Sequence, residues 1–517
     1  MAETVPATAL DIDEIPFADL LLLLLSPEAA AAGDADGRRR RLLATVWAAL
    51  GPGGTGLLAV SGVPRAANLR RRLLPLARRL AIMDHPSRAH LLKVTNPSLC
   101  SLIVFLLPPP VPLPKLRLQC GGRGLTVISF NGDLIPLQKY GLGSDVPLKK
   151  PDRSVSSFAR LLRHDSGKLH SLESMCEATG DTEIRPGCPD GEQKGDADDD
   201  MENLGDLFKE LGLCMMELGI LVARACDIVI GGNQLEQSIT DSGSAKARLI
   251  HYHSELDNRI IKEMSSTRRK NLANNAAAAR PVSDHTDTYQ MPGSERSKKD
   301  GMAVVKSAEE NESQGAAVQG HVSTISLVNL WQEWHYDYGV LTVLTAPLFL
   351  RSALGQECPV SEECSVPDGH SHLQLFSKRR IFSVRCSQES FIVQVGEAAG
   401  ILSGGKLRST LHAVSRPLGL PNISRETFVV FLQPSWDKTL PFSGYSCADE
   451  DDSSDHMELA FRGDGPAGCC GEHILMQEIL KKIPPLSSRL KEGMTFAEFS
   501  RQTTKQYYGG GGIQQNS

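Results

Sequence analysis

An α+β fold follows from three observations in this sequence of 517 residues. Short β-branched or alternating apolar runs, each closed by Gly or Pro, crowd the stretch from Val340 to Pro434. Apolar residues at steps of three and four run from Leu204 through Phe208, Leu211, Met215, Leu218, Val222 and Cys226 to Val229, the pattern of one long helix with an apolar stripe. The opening, from 10 to about 130, mixes helical and strand-like patterns.

Each element can be justified in turn. Helices are expected around 39–50 and 65–83, and the run Pro108-Pro109-Pro110-Val111-Pro112-Leu113-Pro114 stops any regular element. From 165 to 200 the chain is polar and ends in Asp196-Ala197-Asp198-Asp199-Asp200, which reads as a disordered loop before the long helix. Residues 256–322 are rich in Ser, Lys, Ala and Glu; they lack the apolar surface to offset chain entropy and read as a disordered insertion. It separates 200–255 from 323–440, the two parts of one expected core. A second insertion is expected at about 353–369, an acidic loop at Asp449 to Asp452, and a tail helix at 495–508 within the closing segment 441–517.

Composition removes several classes of function. The formal net charge is −6 with the signs interspersed, so no basic face invites nucleic acid. The short runs Arg38 to Arg41 and Arg70 to Arg72 read as exposed helix faces. Leu20 to Leu25 is far short of the roughly 20 apolar residues that cross a bilayer. The start, Met1-Ala2-Glu3, lacks the charged segment and apolar stretch of a secretory signal. Twelve Cys without regular spacing read as reduced thiols, so a cytoplasmic protein without a membrane partner is expected.

The chemistry concentrates in Trp334-His335-Tyr336-Asp337-Tyr338-Gly339-Val340-Leu341-Thr342-Val343-Leu344. A His-x-Asp pair at the start of a strand aims both side chains to one side, because side chains alternate across a strand. One imidazole and one carboxylate, joined by a distant His, form the facial triad of non-haem Fe(II). Spacing alone does not decide: His285-Thr286-Asp287 has it too, in polar sequence with no strand behind it, and His251-x-His253 and His370-x-His372 are further short pairs. Cys358, Cys364, His370 and His372 lack the paired spacing of a zinc knuckle. Downstream, Phe391-Ile392-Val393-Gln394-Val395-Gly396-Glu397 reads as a buried strand and turn, and Arg408-Ser409-Thr410-Leu411-His412-Ala413-Val414 as a second short strand carrying one His. In Arg425-Glu426-Thr427, Arg425 and Thr427 share one strand face while Glu426 points away. A guanidinium beside a hydroxyl can grip a carboxylate through charge-assisted hydrogen bonds.

This order of motifs resembles the isopenicillin N synthase-like, plant-type branch of the 2-oxoglutarate/Fe(II)-dependent dioxygenases. The resemblance is strong over about 325–440 and fainter upstream, where Asp13 to Leu20 looks like the family's first strand, Gly56 to Pro64 like a following strand, and Arg248-Leu249-Ile250-His251-Tyr252 like the strand that ends in a cosubstrate-contacting Tyr. It implies a double-stranded β-helix (jelly-roll) core flanked by helices. It assigns the iron ligands to His335, Asp337 and His412, and the cosubstrate contacts to Arg425, Thr427 and Tyr252, with Ile250 where the family has Asn. The implied activity is oxidation of a small organic substrate by O2, coupled to conversion of 2-oxoglutarate to succinate; the alternative is a catalytically inactive binding protein on the same fold.

Overall fold

The computed structural model describes residues 5–24 (except 7), 35–83, 87–88, 143–144, 155–164, 197–264, 266, 324–325, 329–352, 361–377, 380–442, 477 and 479–509. Two sheets face each other. The larger joins β2 (Glu14–Pro16), β3 (Leu57–Ser61), β12 (Phe391–Val395), β7 (Leu341–Thr345), β14 (Ile423–Leu432), β5 (Ser244–Tyr252) and β4 (Val155–Arg163), in that order. The hairpin of β8 (Leu348–Ser352) and β9 (Ser361–Cys364) adds to it through β14. The smaller sheet runs β1 (Thr8–Asp11), β11 (Arg380–Arg385), β10 (Leu373–Ser377), β13 (Leu411–Ser415) and β6 (Leu330–His335). Apart from the parallel pairs β1–β11 and β2–β3, both ladders are antiparallel. This is a jelly-roll with helices on the outside of the larger sheet.

Alternation along the strands fills the space between the sheets. On the larger sheet Leu57, Ile250, Tyr252, Ile392 and Val429 turn inward; on the smaller, Trp331, Leu373, Leu375, Val384 and Val414 meet them in one apolar cluster. The opposite face of the larger sheet carries Val343, Val393, Phe428, Val430 and Leu432, which pack with the helices.

The long helix α4 (Leu204–Ile230) is buried on almost every side, more than the single stripe that its spacing predicts. It lies so close to the sheet that a Cβ at Gly219 would come within 2.6 Å of Leu432 Cδ1 and 3.0 Å of Val343 Cγ2. Phe208 meets Phe428 edge to face at 4.8 Å, locking β14 to the helix. The helix ends at Gly231, whose φ of 75° supplies the left-handed cap. Around it stand α1 (Ala35–Leu50), α2 (Ala66–Ile82), α3 (Ala197–Glu202) and α5 (Gln234–Ser242).

Several expectations change. Arg70 is not on an exposed face: it is 5% exposed and donates from Nε to Ala346 O at 2.8 Å and from Nη2 to Pro347 O. Arg72 pairs with Asp200 at 2.6 Å, so the acidic run expected to be a loop forms α3 instead. Residues 255–264 continue the fold as a helix with Leu256 and Ile261 buried, and Asp257 meets Arg78 at 2.9 Å; the expected insertion therefore begins later than 256. The stretch expected as an insertion at 353–369 contains β9. Local composition hid all four, because burial here depends on carbonyl or ion partners more than a hundred residues away or on pairing to a neighbouring strand. The rest of 267–322, the Pro run, His285-x-Asp287 and Cys358 lie outside the described residues. Among the described residues, no helix is long and apolar enough to cross a membrane.

Candidate functional site

His412, the second residue of β13, lies directly opposite His335 at the end of β6. Facing positions on neighbouring strands put the two rings 4.2 Å apart, centroid to centroid. Asp337 follows in the crossover to the other sheet, with Oδ1 3.8 Å from His335 Nε2. One ligand atom from each of His335, Asp337 and His412 lies within 4.8 Å of the other two. The His-x-Asp pair therefore does not open a strand, as its sequence suggests. It bridges the small sheet to the large one, and Asp337 owes its aim to its neighbours rather than to strand alternation.

Those neighbours are specific. Asp337 Oδ2 accepts from Thr342 Oγ1 at 2.7 Å and from Gln394 Nε2 at 3.0 Å, which turns Oδ1 toward the imidazoles. The backbone of the crossover is clamped as well: Glu397 N donates to Asp337 O at 2.8 Å, Ala398 N to Gly339 O at 3.0 Å and Val340 N to Leu432 O at 2.9 Å. Gly396 starts α6 (Glu397–Leu402) against this loop, and a Cβ there would meet Gly339 O at 2.2 Å and Asp337 O at 3.0 Å. Tyr336 N donates to Tyr507 Oη at 3.3 Å on α7 (Phe496–Gly509), while Arg489 pairs with the buried Glu397 at 2.5 Å. The tail helix thus contacts the loop that carries Asp337.

Both imidazoles are oriented by backbone carbonyls. His335 Nδ1 lies 2.8 Å from Glu333 O and His412 Nδ1 lies 3.1 Å from Thr410 O. N–H donation to those carbonyls makes Nε2 the ring nitrogen with a lone pair, which Gln332 Nε2 approaches at 2.9 Å in His335 and Gln394 Nε2 at 3.2 Å in His412. Burial, and next the neighbouring His335, lower the pKa of His412 to about 4, so it is neutral at physiological pH. Two nitrogens and one carboxylate oxygen on one side of a point form the donor set for a divalent iron with positions left open.

Arg425 lies on β14 of the larger sheet. It is 3% exposed, and its Nε donates to Ser371 O at 3.1 Å. Among the described residues no carboxylate pairs with it. Glu426, its neighbour, turns to the other face and meets His251 Nδ1 at 2.9 Å, as alternation requires. Tyr252 is the cross-strand partner of Arg425, with its ring centroid 5.0 Å from the guanidinium carbon. Thr427, one alternation further on, has its hydroxyl 3.4 Å from Thr345 O. Burial pulls the Arg425 pKa down, yet the side chain remains a cation without a protein counter-ion, which suits an anionic ligand.

Two residues close to this His-Asp-His cluster have no counterpart in the sequence reading. Gln394 is fully buried between Asp337 and His412, and its Oε1 has no partner. Gln332 donates from Nε2 to His335 Nε2 at 2.9 Å and accepts from Tyr252 Oη at 2.9 Å. A polar residue at an inward position of an otherwise apolar strand is the signal that marks Gln394.

The other His pairs resolve differently. His251 belongs to a buried ion network with Glu426 and Asp257, and His253 bonds Ser156 and Asn258. Asp368, His370 and His372 also cluster. There, however, His372 Nε2 faces Pro367 O, His370 Nδ1 accepts the backbone N–H of His372, and the Arg425 cation lies close by. The Cys364 thiol lies 3.5 Å from Phe349 O, and among the described residues it joins no ligand cluster with His370 and His372.

Residues 364–434 match the family model described as the 2OG-Fe(II) oxygenase superfamily. That stretch of the chain is similar to this superfamily. With the cluster of His335, Asp337 and His412, the similarity marks an oxidoreductase of the dioxygenase type, with Fe(II) as metal and 2-oxoglutarate and O2 as cosubstrates. The matched stretch carries β10 to β14, and with them His412, Arg425 and Thr427; His335 and Asp337 lie upstream of it. Solved structures are similar at low identity. A full-length Neurospora crassa protein in complex with alpha-KG has 13% identity and a TM-score of 0.39, over 91% of this chain and 96% of that one. The dioxygenase for auxin oxidation from rice has 15% identity and a TM-score of 0.37, over 89% and 98%. Its Arabidopsis thaliana counterpart DAO1, with 2-oxoglutarate, has 12% identity and a TM-score of 0.35, over 85% and 98%. No curated protein sequence matches the chain.

Proposed function

We propose that His335, Asp337 and His412 hold the Fe(II), that Arg425, Thr427 and Tyr252 hold 2-oxoglutarate, and that the enzyme oxidises a small organic substrate bound in the same cavity. The convergence of three donor atoms within 4.8 Å on the inner wall of the jelly-roll carries this reading. When bound, iron with 2-oxoglutarate and O2 supplies an oxidation coupled to loss of CO2 and formation of succinate.

The chain's own residues do the rest. Asp337 offsets part of the metal charge, and Thr342 and Gln394 hold the oxygen that does not face the imidazoles. Glu333 O and Thr410 O fix the tautomers of the two imidazoles. Arg425 anchors the far carboxylate of the cosubstrate, with the Thr427 hydroxyl on the same face; the Tyr252 ring shields the pair from water. Leu57, Leu375, Ile392 and Val414 wall the cavity with apolar surface and limit unproductive chemistry with water.

The direct test is succinate formation by the purified protein with Fe(II), 2-oxoglutarate and O2. Even without the organic substrate, slow uncoupled turnover is expected in the wild type and none in His412→Ala. Tight binding of iron and 2-oxoglutarate without succinate, across a broad panel of small organic substrates, would favour the inactive binding protein instead.

A further inference from the structure

Gln332 touches both halves of the site at once. Its Oε1 accepts the Tyr252 hydroxyl at 2.9 Å, and its Nε2 donates to His335 Nε2 at 2.9 Å. The two contacts fix the amide's orientation, because the phenol supplies a proton and the imidazole nitrogen supplies a lone pair. That lone pair is the only one His335 has to offer a metal, since its Nδ1 faces Glu333 O at 2.8 Å. A metal on His335 and the Gln332 hydrogen bond are therefore mutually exclusive. Once displaced, the amide N–H remains next to the ligand atom while Oε1 still reaches Tyr252, the cross-strand partner of Arg425.

Resting on the iron-site reading above, we propose that Gln332 is a positioning residue that couples metal binding to cosubstrate binding. In the metal-free protein its amide caps the His335 lone pair and opposes metal entry. Metal binding releases a donor that faces the cosubstrate, beside the Tyr252 and Arg425 end of the cavity. The side chain thus penalises the first ligand and favours the second, which promotes ordered loading of metal and then 2-oxoglutarate. Gln394 Nε2 likewise lies 3.2 Å from His412 Nε2, but it also holds Asp337 Oδ2 at 3.0 Å and its Oε1 has no partner, so this amide does not link the metal to the Tyr252 end of the site.

Opposite signs make the test. Mn(II) serves as a redox-stable probe, with free Mn(II) read by electron paramagnetic resonance and 2-oxoglutarate binding by calorimetry on the Mn(II)-loaded protein. Gln332→Leu removes both amide groups at similar volume. It should bind Mn(II) about five-fold tighter in the absence of 2-oxoglutarate, the factor carried by one neutral hydrogen bond. The Mn(II)-loaded variant should then bind 2-oxoglutarate about five-fold more weakly. Gln332→Glu, whose carboxylate can neither cap the lone pair nor donate to the cosubstrate, should move both affinities in the same directions. A purely structural role would weaken both, and that result, or no change in either, overturns the proposal while leaving the iron site intact. A wild-type protein that takes up no Mn(II) overturns the iron-site reading itself.

Discussion

Replacing Arg425 with Leu isolates the cosubstrate clamp from the metal. Arg425 is 3% exposed, bonds one backbone carbonyl through Nε and pairs with no carboxylate among the described residues. A buried guanidinium without a counter-ion is costly, so its natural partner comes from solution. Hydrogen bonds to a charged group are worth about 1.5–3 kcal/mol each. Two such bonds to one carboxylate amount to about 3–6 kcal/mol, and at about 1.4 kcal/mol per decade the affinity for 2-oxoglutarate should fall roughly 10²- to 10⁴-fold. Anaerobic titration of the Fe(II)-loaded variant with 2-oxoglutarate measures this directly. Iron affinity should stay within about two-fold, because Arg425 bonds none of the three ligand side chains; the metal-free variant should melt no lower than the wild type, because no protein ion pair is broken. An Arg425→Leu protein that binds 2-oxoglutarate as the wild type does would refute the clamp.

Two further outcomes follow from the surroundings of the site. Burial alone would lower the pKa of His251, but Glu426 and Asp257 outweigh it and push it up to about 9, against about 6.5 in an unfolded chain. A raised folded pKa gives stability that is fully present below about pH 6.5 and lost as pH rises through about 9; urea denaturation should show a fall of up to about 3 kcal/mol across that window in the wild type and a flat profile in His251→Gln. Gly396→Ala places a methyl group against Gly339 O and Asp337 O, so it should cost about 1–3 kcal/mol of stability and shift the Asp337 loop, lowering iron affinity about ten-fold in an anaerobic titration; unchanged iron binding would show that the loop yields freely.

The parts of the site legible in the sequence are those written in local order. The alternation in Arg425-Glu426-Thr427 foretold that Arg425 and Thr427 share a face, and Glu426 does turn away, to His251. His412 could be singled out because it follows a strand and turn after a His-x-Asp pair, and the cross-strand register then sets it opposite His335. What stayed hidden depends on contacts between distant segments. Nothing local says that Gln332 on β6 will reach Tyr252 on β5 in the opposite sheet, or that Gln394 will fill the gap between Asp337 and His412. Arg70, Arg72 and Asp257 read as solvated charges because their partners are 128 or more residues away, so short-range composition misjudged their burial. The aim of Asp337 was foreseen for the wrong reason: a crossover held by Thr342, Gln394 and Gly396 directs it, not the pleat of one strand.

The most direct measurement is an anaerobic titration of the metal-free protein with Fe(II), followed by 2-oxoglutarate. The wild type should take up one ion per chain and develop a visible charge-transfer absorption when 2-oxoglutarate is added, while His412→Ala and Asp337→Ala should do neither. Absence of iron uptake by the wild type, or undiminished uptake by both variants, would contradict the assignment of His335, Asp337 and His412 as one metal centre.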